Sequence, residues 1–541
     1  MTRAQVVRGV AGAAALIAVL TVLARLAGFG RTLVFTNAVG AGSTGDTYLA
    51  ANTVPNIVFE VVAGGALAGL VVPMLAGGIA TGDREQVRRT ASALLGWTLL
   101  VLTPLAVLLA LCAEPVARLL LGTGDPAQVD LAARFLVVFA PQVVLYGIGI
   151  VLTGVLQAHR RFAAPALAPL LSSVVVAGAY LTFAVIGGSR SAGDLSTAAE
   201  LTLSVGTTLG VAALASSLLP PVRRLRLGLR PALRFPVGVA PRVRRLAVAG
   251  VLTLAGQQLV AAVAIRLANA GAPDGTQVVY VAGLTVFLVP WAALAVPLAT
   301  SAYPGLVERA GTGDEAGFRR ALAPVTVLVV VPSTVGAAVL VACAGPMARV
   351  FLAGEPAAVV AALRDTLVAF APGLPGYGLV AVLTRALYAR GLWRSPTVCV
   401  LGGWLVAVAA DLVLAAALPA ADRGAALAAG HSTGVTVAGL ALLVVVARVT
   451  GPAGLAGVAR TGLPALLAAV LGGAAGLAVA GALGVDPVPQ GPLPATVGAG
   501  VLAAASALVV AAAVMMGTAR GPLRAAVRGL RRGETQEVHG G

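Results

Sequence analysis

Apolar runs long enough to cross a bilayer follow one another from Val10 to Met516, separated by short polar gaps. Backbone inside hydrocarbon has no water to bond, so only helices and closed barrels are open to such a chain. Runs of about 20 residues suit helices, because barrel strands need only about 10 and alternate apolar with polar. The expected fold class is therefore all-α, a polytopic membrane protein with about 14 transmembrane helices. They are expected near residues 9–38, 45–79, 91–113, 130–156, 165–187, 199–219, 246–270, 277–304, 321–343, 362–388, 397–419, 425–447, 461–484 and 495–517. Composition agrees. Of 541 residues 59% are hydrophobic and 11% charged, with mean hydropathy +0.97, where a soluble chain would carry roughly 25% charged residues. The first run is too long and too charged for a cleavable leader, and is expected to be retained.

The formal net charge of +17 would suit a nucleic-acid partner, but its distribution argues for none. All 37 basic residues are arginine, and most fall in alternate connections. Examples are Arg84, Arg88 and Arg89, then Arg160 and Arg161 beside His159, then Arg319 and Arg320, and Arg390 and Arg394. This positive-inside pattern places both termini in the cytoplasm. Residues 220–245 hold eight arginines together with Pro220, Pro221, Pro231, Pro236 and Pro241. That segment separates six spans from the next six. It gives a first lobe at 1–220, a basic linker at 221–245, a second lobe at 246–448, two further spans at 449–517, and a basic tail at 518–541. Membrane lipids are the partners such charge implies, at about 1 kcal/mol per arginine near an anionic surface. Cys112, Cys343 and Cys399 fit neither a zinc nor a disulfide spacing, and are expected as buried small hydrophobes.

Charges inside apolar runs single out residues 25–66. Arg25 and Arg31 fall late in the first run, Asp46 and Glu60 in the second. Each would cost about 2.5–3.5 kcal/mol at mid-bilayer, so they face water or one another and mark a site. A structural ion pair of Arg31 with Asp46 is the plainer alternative. Gly28, Gly30, Pro55, Gly64 and Gly65 are expected to interrupt these helices, as happens where a helix lines a cavity. Asn56 is expected to satisfy backbone freed at Pro55. Arg266 adds a cation late in the seventh run, placed either in a cavity or snorkelling outward. His431 with Ser432 is either a proton relay or a hydrogen-bonded packing residue. No HExxH pair or phosphate-binding loop is present, and the one GxSxG spacing, Gly430 to Gly434, lies inside an apolar run and not at a strand-to-helix elbow, so no catalytic centre, metal or cofactor is expected.

An internal repeat supports the two-lobe division. Residues 139–165 and 370–396 agree without a gap at 11 of 27 positions, among them Phe139/Phe370, Pro141/Pro372, Tyr146/Tyr377, Thr153/Thr384 and Pro165/Pro396. The copies fall on the fourth and tenth spans, an even offset of six, so the repeats run parallel and imply two pseudo-symmetric six-helix lobes plus two C-terminal helices.

Three stretches resemble the MurJ/MviN lipid II flippases of the multidrug/oligosaccharidyl-lipid/polysaccharide exporter superfamily. They are Arg25–Arg31 with Gly42, Asp46, Tyr48, Pro55 and Asn56; Leu156–Pro169; and Arg385–Arg390 with Pro396. The resemblance implies a flippase of the bacterial cytoplasmic membrane that carries an undecaprenyl-diphosphate-linked peptidoglycan precursor by alternating access, with peptidoglycan-synthesis proteins as further partners. It implies that Arg25, Arg31 and Asp46 belong to a central cationic site. The chain departs from the family pattern at Thr32, Glu60, Gly64 and Thr285, which leaves fewer cations. Asp411 falls where some members bind sodium, but its expected companion one turn earlier is Ala407. Two alternatives stay open: export of another polyprenyl-linked glycan, and a non-transporting scaffold for envelope synthesis.

Overall fold

The computed structural model describes residues 3–61, 68–122, 125–234, 240–486, 491–526 and 528. Gly64, Gly65, Pro236, Arg531 and Arg532 lie outside that set. The described residues form helices and turns and no strand. Contacts group them into two units, 1–270 and 271–541.

The first unit contains α1 (Arg3–Ala38), α2 (Ser43–Val58), α3 (Ala68–Ala80), α4 (Arg84–Leu111), α5 (Ala113–Leu121), α6 (Pro126–Ala158), α7 (Ala163–Val185), α8 (Thr197–Ser217), α9 (Leu219–Arg223) and α10 (Ala240–Asn269). Helix α6 is its hub, packed by α2, α3, α4, α5 and α8, while α1 lies on α7. The second unit contains α11 (Thr276–Pro290), α12 (Val296–Gly311), α13 (Glu315–Ala342), α14 (Ala344–Phe351), α15 (Ala357–Phe370), α16 (Gly373–Ala389), α17 (Arg394–Ala417), α18 (Arg423–Thr450), α19 (Val458–Ala482) and α20 (Leu493–Thr518). There α18 packs on α15, α16 and α17, and α13 on α16 and α19. The boundary between the units follows α10, so the contacts of that helix group it with the first unit and not with the residues after it.

Ten helical stretches among the described residues are long and apolar enough to cross a membrane, eleven if α15 and α16 count as one bent span. Every expected span falls on a helix or on a pair of consecutive helices. Of the expected interruptions, the three at described positions do not break their helices, and Gly64 and Gly65 lie outside the described residues. Helix α1 runs unbroken through Gly28 and Gly30, and α2 runs through Pro55. The irregularity comes just after, as a π turn over residues 59–61. A corresponding π turn, Trp291–Ala295, joins α11 to α12. All three cysteines are partly exposed instead of buried. Cys112 and Cys343 sit at the joints α4–α5 and α13–α14.

The internal repeat extends further than its best-matching stretch. Thr81-Gly82-Asp83 and Thr312-Gly313-Asp314 stand at the separation that relates Phe139 to Phe370. Both glycines adopt positive φ, +71° and +72°. Both aspartates cap the following helix, each accepting a backbone N–H at 2.8 Å, from Gln86 and from Gly317. Helices α4 and α13 are each 28 residues long. Pro141 and Pro372 then act differently. Helix α6 continues through Pro141, but α15 and α16 meet at 46° around Pro372, where Gly373 and Pro375 follow at once and weaken the next turn.

Small residues set close helix approaches. A β-carbon on Gly434 of α18 would stand 2.6 Å from the Gly403 carbonyl of α17 and 2.5 Å from the Ala407 β-carbon. Only glycine fits there, the pattern by which membrane helices gain contact without a hydrophobic driving force.

Candidate functional site

Helix α1 lifts Arg31 to about 10 Å short of its end at Ala38, at 1.5 Å rise per residue. The side chain is half-buried. Its charge reaches the hydroxyls of Tyr48 on α2, Tyr146 on α6 and Tyr180 on α7. It makes no hydrogen bond or ion pair among the described residues. The ion pair with Asp46 is therefore absent.

The tyrosines form an ordered donor chain. Tyr48 Oη lies 2.8 Å from Tyr180 Oη and 2.7 Å from Thr207 Oγ1. Thr207 spends its single proton on the Leu203 carbonyl, at 2.7 Å. It can then only accept from Tyr48, and Tyr48 in turn accepts from Tyr180. Tyr180 thus ends the chain with oxygen lone pairs uncommitted, within the field of Arg31. Rings hold the chain in place. Phe35 lies 5.3 Å from Tyr48 and 5.1 Å from Tyr180, and Phe135 and Phe139 both stand edge-on to Tyr48 at 5.9 Å.

Glu60 lies in the π turn, exposed, and its charge also reaches Tyr146. Tyr146 is thus flanked electrostatically by Arg31 and Glu60, and its ring packs 4.5 Å from Phe59. Asn56 donates to the Asn52 carbonyl at 2.9 Å, one position beyond the Ala51 carbonyl that Pro55 leaves without its usual donor. Asp46 is buried in the first turn of α2. The loop carrying Arg190 closes over that turn: Thr44 N donates to the Arg190 carbonyl and Ala192 N to Ser43 Oγ, each at 3.0 Å. Arg25 is exposed and lies about 120° round α1 from Arg31; none of the tyrosines feels it. Arg266 is exposed in the last turn of α10, its guanidinium against Gly122 after α5. There it complements the helix dipole, remote in sequence and contacts from the Arg31 group. The sequence reading singled out the charges but not Tyr146, Tyr180 or Thr207. The available signal was Tyr146 itself, which recurs in the repeat as Tyr377.

The second unit places different chemistry at the matching position. Tyr377 stacks on Trp291 at 4.5 Å, and Trp291 Nε1 donates to the Tyr377 carbonyl at 3.2 Å. His431 is buried among Phe287, Phe370, Tyr377 and Trp404, and its Nε2 has no partner among the described residues. Ser432 donates instead to the carbonyls of Ala369 and Phe370, at 2.9 and 3.0 Å. No hydrogen bond joins His431 to Ser432 among the described residues. Asp411 is fully buried, and neither carboxylate oxygen has a hydrogen-bond partner among the described residues.

A family model described as lipid II flippase MurJ matches residues 35–481. The chain belongs to the MurJ family. A probable lipid II flippase MurJ of Rhizobium meliloti (strain 1021) is 26% identical over 404 residues, 73% of each chain. One of Rhizobium tropici is 29% identical over 229 residues, 42% of this chain and 41% of that one. The fold is similar to the solved inward-closed lipid II flippase MurJ, with TM-score 0.71 at 16% identity, covering 93% of this chain and 99% of the other. An inward-facing multidrug resistance transporter of the MATE family and the MOP superfamily gives 0.64 at 15% identity, over 80% and 94%. The protein is thus a multi-pass membrane protein of the MurJ family, a transporter fold and not an enzyme. Asp411 meets Gly430 and stands one turn from Ala407, and among the described residues no group of three or more His, Cys, Asp or Glu side chains could hold a metal ion.

Proposed function

We infer that the protein is a lipid II flippase of the bacterial cytoplasmic membrane, which moves the undecaprenyl-diphosphate-linked precursor across by alternating access. The observation that carries this reading is Arg31, half-buried and without a counter-ion among the described residues, facing a tyrosine chain that ends in free lone pairs. A guanidinium fork suits a diphosphate, with two parallel charge-assisted bonds available. The charges of Arg31 and Glu60 both act on Tyr146, and in this reading Glu60 competes for the arginine and assists release. Arg25 and Arg266 serve at entry and exit, and Asp46 and Asn56 hold α2 in register with the site.

In this reading the chain crosses the membrane fourteen times. Helices α1, α10 and the α2–α3 pair join the eleven stretches already counted, giving two six-span repeats and a terminal pair with both termini in the cytoplasm. The membrane potential offers about 2.3 kcal/mol per charge per 100 mV, which drives the return of an empty site carrying an uncompensated Arg31. Peptidoglycan-synthesis proteins are the proposed neighbours.

The test is complementation of a bacterium depleted of its own lipid II flippase, with wild type, Arg31→Lys and Arg31→Ala at matched membrane levels. Rescue by wild type, weak rescue by Arg31→Lys and none by Arg31→Ala is the expected pattern. Full rescue by Arg31→Ala removes the arginine from the mechanism. Failure of well-inserted wild type transfers the reading to another polyprenyl-linked glycan or to a scaffold.

A further inference from the structure

A cavity of about 370 Å³ opens in the first unit where the linker leaves α9, well away in sequence from the Arg31 group. Its polar wall is Arg84, His159, Arg161 and Arg224, and among the described residues no carboxylate lines it. The three arginines come from three separate turns. Arg84 starts α4 behind the positive-φ turn at Gly82, Arg161 follows Arg160 at φ +57°, and Arg224 precedes Arg226 at φ +52°. Converging three cations in one concavity costs repulsion unless an anion shares it.

The neighbouring acids are committed elsewhere. Asp83 caps Gln86, and Glu85 pairs with Arg88 and Arg89. The arginines are also held in place. Arg84 Nη2 donates to the Leu225 carbonyl at 2.9 Å, which leaves most of its five N–H groups available. Leu225, Leu227 and Leu229 anchor the Arg224 segment on a core of Val71, Leu75, Val87 and Val155. His159 Nδ1 lies 2.8 Å from the Val155 carbonyl, which fixes the ring. The start of α4 adds the positive end of a 28-residue helix dipole to the same wall.

We propose that this cavity is a binding site for a phosphate-bearing anion, either the headgroup of an anionic phospholipid or free phosphate or pyrophosphate. Its volume falls in the range of about 300–1,000 Å³ found for small-ligand sites. A phosphate bridging Arg84, Arg161 and Arg224 ties the linker to the α3–α4 and α6–α7 turns. The proposal does not depend on lipid II being the cargo.

The experiment uses the full chain in phosphatidylcholine nanodiscs and follows the thermal unfolding midpoint. Pyrophosphate is added in one arm, and phosphatidylglycerol is included in the bilayer in the other. Wild type is expected to shift upward in at least one arm. Arg161→Gln/Arg224→Gln is expected to bind about 10-fold more weakly or worse, since two charge-assisted bonds are lost. A shift with pyrophosphate alone identifies free phosphate, and one with phosphatidylglycerol alone identifies a headgroup. Equal responses of wild type and the double variant overturn the proposal, as does an equal shift with chloride at matched ionic strength. If the double variant folds poorly, Arg161→Lys/Arg224→Lys replaces it. Native mass spectrometry then counts retained phospholipid or pyrophosphate, and unchanged retention in that variant has the same overturning force.

Discussion

The donor chain Tyr180→Tyr48→Thr207→Leu203 makes a directional claim that substitution can test. Tyr48 is fully buried and accepts from one side while donating to the other. Tyr48→Phe therefore strands the Tyr180 hydroxyl without an acceptor and empties the lone pair of Thr207. A stranded buried donor costs about 1–3 kcal/mol and a lost neutral hydrogen bond about 1, so the substitution should cost roughly 2–3 kcal/mol. Tyr180→Phe removes the terminal donor and strands no proton, so it should cost only about 1 kcal/mol. Thr207→Val strands the Tyr48 proton and should resemble Tyr48→Phe. Combined with Tyr48→Phe it should add little, giving a coupling of about 1–2 kcal/mol within the usual range for bonded neighbours. The assay is the equilibrium of unfolding in mixed micelles, taken through the full double-mutant cycle. A Tyr180→Phe cost equal to or above that of Tyr48→Phe would refute the direction of the chain. Additivity of Tyr48→Phe and Thr207→Val would refute the bond itself.

Three further outcomes follow from the packing. Gly434→Val should separate α17 from α18 and cost about 1–3 kcal/mol by overpacking, read in the same micelle assay; a neutral result would mean that the two helices do not approach as closely as the Gly403 contact requires. Asp411→Asn loses no hydrogen bond among the described residues and should leave stability unchanged or raised, because an unpartnered buried carboxylate is costly; a loss above about 2 kcal/mol would reveal a ligand for the carboxylate. Arg160 occupies the left-handed conformation that Gly391 fills in the second copy, φ +57° and +74°, so Arg160→Gly should gain about 0.5–1 kcal/mol and Gly391→Ala lose about 1–2. Equal effects at the two positions, compared by thermal unfolding, would show that the turns differ.

The helices were legible because hydrocarbon leaves the backbone little choice. The same constraint explains why Gly28, Gly30 and Pro55 do not break α1 and α2. A glycine costs a helix only about 1 kcal/mol, less than exposing its backbone bonds to lipid. The strain instead appears after Pro55, in the π turn that carries Glu60, a displacement that no local pattern announces. Arg31 was legible as a charge in an apolar run. Its surroundings were not, because Tyr48 meets Tyr180 and Thr207 across 132 and 159 residues. The exposed Arg25 and Arg266 carry the same sequence signal as Arg31 but reach a different environment. A cation that can gain solvent at a helix end or on an open face does so.

The repeat separates scaffold from chemistry within one chain. Both copies keep the Thr-Gly-Asp turn with its cap, a π turn ahead of it in the chain, and a tyrosine, Tyr146 or Tyr377, packed 4.5 Å from an aromatic ring at that π turn. These features recur although α6 continues through Pro141 where α15 and α16 bend at Pro372. The side chains around the two tyrosines diverge. Tyr146 lies in the fields of Arg31 and Glu60, whereas Tyr377 is enclosed by Trp291, Phe287 and a histidine whose Nε2 has no partner among the described residues. A buried site closed by rings cannot receive a diphosphate without stranding its charge, while a guanidinium that is unpaired among the described residues can. In the proposed transport cycle, then, the first copy supplies the binding charge. The second supplies the same capped turn and π turn around a cluster of rings, while only the first holds the phosphates.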